Sequence, residues 1–206
     1  MILFPFILFP FYRGIFNCET LVDLKLKSCG VIPISGPVFL PRLKKLYLID
    51  PRCEANESLP NLISGCPVLE EFTIVYVPDV LARNVFSPTV KRLSLNLVSD
   101  CRISNTLDIN APALEYLEIN SSSPGQMKSG LLNSLTEADI WLNNYNRTKE
   151  DLFLYYRSLL EFIGRLCNIV DSVFSTWSWT TSFHNLTKLE LSADYRFLVI
   201  KVPRAS

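Results

Sequence analysis

The sequence contains little of what enzymes and metal proteins use. His184 is the only histidine among 206 residues, so a two-histidine metal site cannot be built, and neither can a cysteine–histidine pair with a spare partner. His184 directly precedes an apolar segment, where a hydrogen-bonded structural role is the common one. The sequence also lacks a G-x-S-x-G elbow, a phosphate-binding loop and a dinucleotide fingerprint. We therefore expect a protein that is not an enzyme and has no metal and no cofactor.

An excess of charge of either sign is absent as well. Lys plus Arg and Asp plus Glu number 20 each, so the formal net charge is zero. Without a net field, nothing in the composition attracts the chain to nucleic acid or to an acidic membrane surface. We expect neither as a partner.

Cysteine pairs with metal-ligand spacing are also missing. The six cysteines are scattered, with no C-x-x-C pair and no neighbouring histidine: Cys18, Cys29, Cys53, Cys66, Cys101 and Cys167. Dense disulfide frameworks belong to short secreted chains, so free thiols in a reducing compartment are favoured. This predicts a cytoplasmic or nuclear protein.

The apolar N-terminus does not resemble a signal peptide. No Lys or Arg precedes Arg13, and Pro5 and Pro10 interrupt the apolar run, which is too short to span a bilayer as a helix. We interpret residues 1–14 as an apolar stump or an incomplete first repeat. The alternative is a secreted protein that carries glycans at its Asn-x-Ser/Thr sites, Asn56, Asn120, Asn146 and Asn185.

What the sequence does contain is a repeat with apolar residues at its first, fourth and sixth positions. Five of its starts, at residues 21, 43, 69, 90 and 114, are separated by between 21 and 26 residues. This spacing is typical of leucine-rich repeats, in which each unit is a short strand plus a return segment. The seven copies are Leu21-x-x-Leu24-x-Leu26, Leu43-x-x-Leu46-x-Leu48, Leu69-x-x-Phe72-x-Ile74, Val90-x-x-Leu93-x-Leu95, Leu114-x-x-Leu117-x-Ile119, Leu135-x-x-Ala138-x-Ile140 and Leu186-x-x-Leu189-x-Leu191.

A second regularity supports the repeat. Pro41, Pro67, Pro88 and Pro112 each lie two residues before the opening apolar position of a copy. Proline has a fixed φ and no N–H, so it can end a return segment without removing a hydrogen bond from the strand that follows.

The repeats predict an α/β leucine-rich-repeat solenoid over residues 15–206, with about seven to eight repeats. A curved parallel sheet should form the concave side, with short helices and loops on the convex side. One short helix is expected from Leu59 to Ser64, capped by Ser58 and stopped by Gly65 in the left-handed conformation. A longer helix is expected in an enlarged repeat at about 148–170, where apolar residues follow helical spacing.

Side chains at the third and fifth positions should point away from the core, because side chains alternate along a strand. They include charged and aromatic residues of the kind that dominate protein interfaces. The alternative is a solvated ladder of ion pairs with no partner, since Lys45, Glu71 and Arg92 alternate in sign on neighbouring strands. The candidate partner-binding residues are Lys45, Tyr47, Glu71, Arg92, Tyr116, Glu118, Asp139 and Trp141.

Six stretches contain the most characteristic repeat phrases: 15–31, 40–48, 64–74 (SGCPVLEEFTI), 87–95, 111–119 and 183–192. These phrases resemble plant F-box proteins that carry leucine-rich repeats and a C-terminal FBD segment. In that family the F-box docks on the Skp adaptor of a cullin ubiquitin ligase, and the repeats select the substrate. The sequence contains no F-box and no FBD segment, so the resemblance implies partner binding by the repeats and no binding of the Skp adaptor.

The sequence therefore predicts a non-catalytic module that binds another protein. Two alternatives remain open: a secreted leucine-rich-repeat protein that recognises an extracellular ligand, and a non-functional gene fragment.

Overall fold

A computed structural model describes residues 12–28, 31–32, 36–55, 57–75, 83–97, 107–121, 127–130, 132–143, 161–162, 164 and 187–194. Two short helices and twelve strands have both of their ends within these residues. The helices are α1 (Tyr12–Ile15) and α2 (Ser58–Ser64). The strands are β1 (Asp23–Lys27), β2 (Val31–Ile32), β3 (Lys45–Ile49), β4 (Arg52–Cys53), β5 (Glu71–Val75), β6 (Arg83–Phe86), β7 (Arg92–Leu97), β8 (Leu107–Asn110), β9 (Tyr116–Ser121), β10 (Met127–Ser129), β11 (Glu137–Asn143) and β12 (Lys188–Asp194).

Seven of these strands form one parallel sheet in the order β1-β3-β5-β7-β9-β11-β12. Each strand begins at the third position of a predicted repeat, and the pairing joins third position to third position, as in Lys45 with Glu71 and Glu71 with Arg92. The same register continues to β12, where Glu137 pairs with Lys188. The predicted leucine-rich-repeat solenoid is confirmed. The total of seven to eight repeats stays a prediction.

The repeated apolar positions build the core. From the second to the sixth copy, the first, fourth and sixth positions are all buried, because alternate side chains of each strand point to the same side of the sheet. Leu46, Leu93, Leu117 and Ile119 have no exposed surface at all. Leu21 of the first copy is only half-buried.

The repeated prolines lie in turns rather than at the strand starts. The N–H of Leu43 donates to the carbonyl of Leu40 at 3.1 Å, which places Pro41 at the second position of a β-turn. The same bond joins Leu69 to Cys66 and Leu114 to Ala111, around Pro67 and Pro112. Since the strands begin four residues after these prolines, the missing N–H lies well outside the ladder.

The opposite side of the solenoid carries more strand than the sequence predicted. Instead of loops, parts of the segments 75–87 and 96–110 form β6 and β8, which make a second parallel sheet with β10 in the order β10-β8-β6. Val85 and Ile109 point from these strands into the core. Strands of three or four residues are too short to show the alternation that identifies a strand in sequence.

Helix α2 and its last residue, Ser64, were predicted correctly, but its first residue and both of its caps were not. Ser58 is the first helical residue and accepts a hydrogen bond from the N–H of Ala55, at 3.2 Å, so it does not cap the helix. Gly65 has φ −75°, an ordinary right-handed value. A Cβ atom at Gly65 would come within 2.5 Å of the Val38 carbonyl oxygen, so glycine is needed there for close backbone approach.

The enlarged repeat at 148–170 lies outside the described residues, apart from Glu161, Phe162 and Gly164, which are helical. No helix within the described ranges is long and apolar enough to cross a membrane.

Candidate partner-binding face

The side of the seven-stranded sheet that points away from the core is called the open face below. It consists of the third and fifth positions of the repeats, stacked in two rows by the strand register. Neighbouring residues in a row are about 4.8 Å apart, so their side chains can touch. The third-position row is Asp23, Lys45, Glu71, Arg92, Tyr116, Glu137 and Lys188; the fifth-position row is Lys25, Tyr47, Thr73, Ser94, Glu118, Asp139 and Glu190.

The N-terminal half of the open face is internally paired. Lys45 Nζ lies 2.8 Å from Glu71 Oε1, and the Tyr47 hydroxyl donates to Glu71 Oε2 at 3.3 Å. The hydrogen bond and charge of Lys45 lower the pKa of Glu71, while burial, and then the charge of Glu71, raise the pKa of Tyr47. One position earlier, Lys44 and Glu70 form a second ion pair at 3.1 Å. Lys44 and Lys45 therefore each have a carboxylate beside them.

The middle of the face makes a different kind of contact. The Arg92 guanidinium stacks over the Tyr116 ring, 4.4 Å from its centroid, a favourable cation–π distance. Burial, and then the charges of Glu118 and Asp139, raise the pKa of Tyr116. The Ser94 hydroxyl donates to Glu118 Oε2 at 2.8 Å. The sign-alternating ladder predicted through Arg92 is therefore incomplete, because among the described residues Arg92 contacts an aromatic ring and makes no ion pair with Glu71.

The C-terminal half combines carboxylates with an exposed tryptophan. Trp141, two residues after Asp139 on β11, is 44% exposed, and its indole N–H donates to Asp139 Oδ1. Asp139 lies between Glu118 and Glu190 in the fifth-position row. The eight residues predicted from the sequence all lie on β3, β5, β7, β9 or β11 and face away from the core. Their role in binding a partner stays a prediction.

Sequence reasoning passed over part of this half. Glu190 and Glu137 continue the acidic surface, and Ser94 orients Glu118, but none of the three was among the predicted residues. The signal was present, since all three occupy third or fifth positions. The predicted set took charged and aromatic residues one by one, so it did not follow the row of like charges across neighbouring strands.

Reactive groups are few in the described part of the chain. Burial raises the pKa of the Cys53 thiol to about 11 and that of the Cys66 thiol to about 12, so both stay protonated and unreactive at neutral pH. Cys18, Cys53 and Cys66 are free. No group of three or more His, Cys, Asp or Glu side chains in these ranges could hold a metal ion.

Comparison with known proteins gives the family. A family model described as the leucine-rich repeats of the FBD-associated F-box protein At5g56370 matches residues 7–134. The F-box/LRR-repeat protein At3g26922 of Arabidopsis thaliana is 36% identical over 115 residues, which are 54% of this chain and 37% of the relative. The putative FBD-associated F-box protein At1g55030 of the same plant is 33% identical over 188 residues, 90% of this chain and 44% of the relative.

The chain therefore spans less than half the length of these curated relatives. No solved structure gives a significant match. The family match covers more than half of this chain, including β1 to β10, and it coincides with the repeats that build the sheet. The chain belongs to the leucine-rich-repeat family of FBD-associated F-box proteins.

Proposed function

We propose that the chain is a non-catalytic module that binds another protein through the open face, and that it corresponds to the substrate-recognition region of a plant F-box ubiquitin ligase subunit. The observation that carries this proposal is the composition of the open face: exposed Trp141, half-exposed Tyr47 and Tyr116, and charged side chains stacked in register on a rigid sheet. Aromatic and charged residues fixed on rigid strands form good binding surfaces, because little side-chain freedom is lost on binding.

The partner is a protein in the cytoplasm or nucleus. The unreactive thiols of Cys53 and Cys66 suit a reducing compartment. The balanced charge supports a protein partner over nucleic acid or a membrane surface.

Site-specific photo-crosslinking tests the proposal. A photoreactive phenylalanine analogue is introduced at Tyr116 of the full chain, and separately at Phe86. Phe86 is 49% exposed on β6, in the second sheet and away from the open face, which makes it a matched control. In plant extract we expect a discrete covalent adduct from position 116 and none from position 86.

The captured protein is then purified and titrated with the chain. Saturable binding that Tyr116→Ala and Trp141→Ala weaken supports the proposal, and so does slower ubiquitylation of that protein in extract when excess chain competes with full-length relatives. Equal adducts at both positions, or binding that neither substitution changes, would refute it.

A further inference from the structure

The whole chain has a net charge of zero, but the open face is segregated by charge along the solenoid. On β1 and β3 the third and fifth positions contain Lys25, Lys45 and Asp23, a net charge of +1. On β5 and β7 the charges of Glu71 and Arg92 cancel. On β9, β11 and β12 the same positions contain four carboxylates and one ammonium group, so the net charge is −3. The carboxylates are those of Glu118, Glu137, Asp139 and Glu190, and the ammonium group is that of Lys188.

The acidic end contains a row of like charges on three adjacent strands. Glu118 pairs in register with Asp139, and Asp139 pairs with Glu190. Like charges placed directly across neighbouring strands destabilise a sheet. Within the part of the chain that the structure describes, the ion pairs belong to Lys44–Glu70 and Lys45–Glu71, and no cation lies within 4.0 Å of the three carboxylates of this row. A row of like charges lowers the stability of the fold, and features that lower stability are typical of functional surfaces.

Two aromatic side chains border this acidic row. Tyr116 precedes Glu118 by two residues on β9, and Trp141 follows Asp139 by two residues on β11. Because side chains alternate along a strand, each aromatic residue lies on the same face as the neighbouring carboxylate. Trp141 is one of the five large apolar side chains exposed in the described residues. Arg92 shows how a guanidinium packs on Tyr116, with its carbon 4.4 Å from the ring centroid.

This combination fits cationic side chains. An arginine or lysine places its charge between carboxylates and its aliphatic stem, or the guanidinium plane, against an aromatic ring. The N-terminal half differs in charge, because the carboxylate of Glu71 is neutralised by Lys45 at 2.8 Å.

We propose that the β9–β11–β12 end of the open face binds a basic segment of the partner protein, with arginine or lysine side chains lying along Glu118, Asp139 and Glu190 and between Tyr116 and Trp141. This proposal rests on the proposed function and adds the chemistry of the segment that is recognised.

The test uses the full chain and a fluorescein-labelled peptide of alternating arginine and alanine. The variant Glu118→Gln/Asp139→Asn/Glu190→Gln removes three charges, yet each amide keeps an oxygen that can accept the hydrogen bonds from Ser94 and Trp141. The matched control Glu19→Gln/Glu57→Gln/Asp108→Asn removes the same charge from positions off the open face, two exposed and one half-buried on β8. Binding is followed by fluorescence anisotropy, with a citrulline peptide of the same shape as the neutral probe.

We expect the acidic-row variant to weaken arginine-peptide binding by about tenfold or more, and the control variant by less than about twofold. The citrulline peptide should bind the parent chain weakly, with an affinity no higher than that of the arginine peptide for the acidic-row variant. Melting temperature supplies a second readout: relief of the repulsion should leave the acidic-row variant at least as stable as the parent chain. Equal losses in the two variants, or equal binding of both peptides, would overturn the proposal.

The outcome also separates this proposal from the broader one. If the photo-crosslinked partner binds through Tyr116 and Trp141 but keeps its affinity for the acidic-row variant, the binding module stands and the basic segment is refuted. If the partner does not bind at the open face at all, the proposed function itself fails.

Discussion

Replacing Gly65 by alanine is expected to destabilise the chain through a steric clash between two repeats. Gly65 follows α2 with φ −75° and ψ 0°, values that alanine adopts freely. An added Cβ would lie 2.5 Å from the Val38 carbonyl oxygen and 2.6 Å from Val38 Cβ, and it would also meet Val38 Cγ1. The carbonyl of Gly65 accepts a hydrogen bond from Leu40 N–H at 2.9 Å, which holds the two segments together.

The magnitude follows from two opposing effects. Alanine in place of glycine restricts the unfolded chain and stabilises a protein by about 0.4–1 kcal/mol where the conformation is compatible. Forcing an extra carbon into a packed region costs about 1–3 kcal/mol, and the backbone oxygen of Val38 cannot move aside by changing rotamer. We expect a net loss of about 1–2 kcal/mol in the free energy of unfolding.

Urea unfolding of Gly65→Ala and of Gly14→Ala measures this effect against a matched control. Gly14 lies in α1 with no atom within 4 Å of a Cβ position, so alanine there should be neutral or stabilising. The double variant Val38→Ala/Gly65→Ala should recover only part of the loss, because the backbone oxygen and Cβ of Val38 remain. Equal effects at the two glycines would refute the steric argument. A Gly65→Asn variant more stable than Gly65→Ala would instead support a left-handed helix stop.

Two further predictions concern the sheet. Leu93→Ala removes a fully buried side chain and should lower the free energy of unfolding by about 2–5 kcal/mol. Ser94→Ala, at the neighbouring position on β7, should lower it by about 0.5–1.5 kcal/mol, because it removes the hydrogen bond to Glu118. Similar urea midpoints for the two variants would mean that the strand register is wrong. Because Lys45 lowers the pKa of Glu71 below its ordinary 4.5, the ion pair stabilises the fold above pH 4.5 and is lost as pH falls through the lower folded-state pKa. Stability should therefore fall less steeply in acid for Lys45→Gln than for the parent chain, and parallel pH profiles would contradict this.

The seven-stranded sheet was predictable because the repeat determines both where each strand lies and how neighbouring strands are aligned. The spacing of the apolar positions identifies each strand, and stacking of equivalent positions fixes the register, so the sequence alone places Lys45, Glu71 and Arg92 on adjacent strands. The second sheet was not predictable in the same way. Strand β8 has only Leu107 and Ile109 pointing inward, and two alternating residues do not distinguish a strand from a loop.

The sequence predicted which side chains share the open face, but it did not predict which of them contact one another. Lys45 and Arg92 both neighbour Glu71, yet Lys45 forms the ion pair and Arg92 packs on Tyr116. Long side chains choose between nearby partners by rotamer and by the extra stabilisation that an aromatic ring offers a guanidinium. Sequence spacing contains no information about that choice. The role of Gly65 was missed for a related reason, since its close neighbour Val38 belongs to another repeat.

The zero net charge of the chain says little about what the open face attracts. Strand β11 is the fourth neighbour of β3 in the sheet, and adjacent strands are about 4.8 Å apart. Lys45 on β3 therefore lies about 19 Å from Asp139 on β11. At physiological ionic strength the Debye length is about 8 Å, so the positive end is screened from a partner that approaches the acidic end. A bound segment therefore responds to the local charge of −3 on β9, β11 and β12 and not to the balanced total. A balanced total charge is therefore compatible with a charge-selective protein interface at one end of the solenoid.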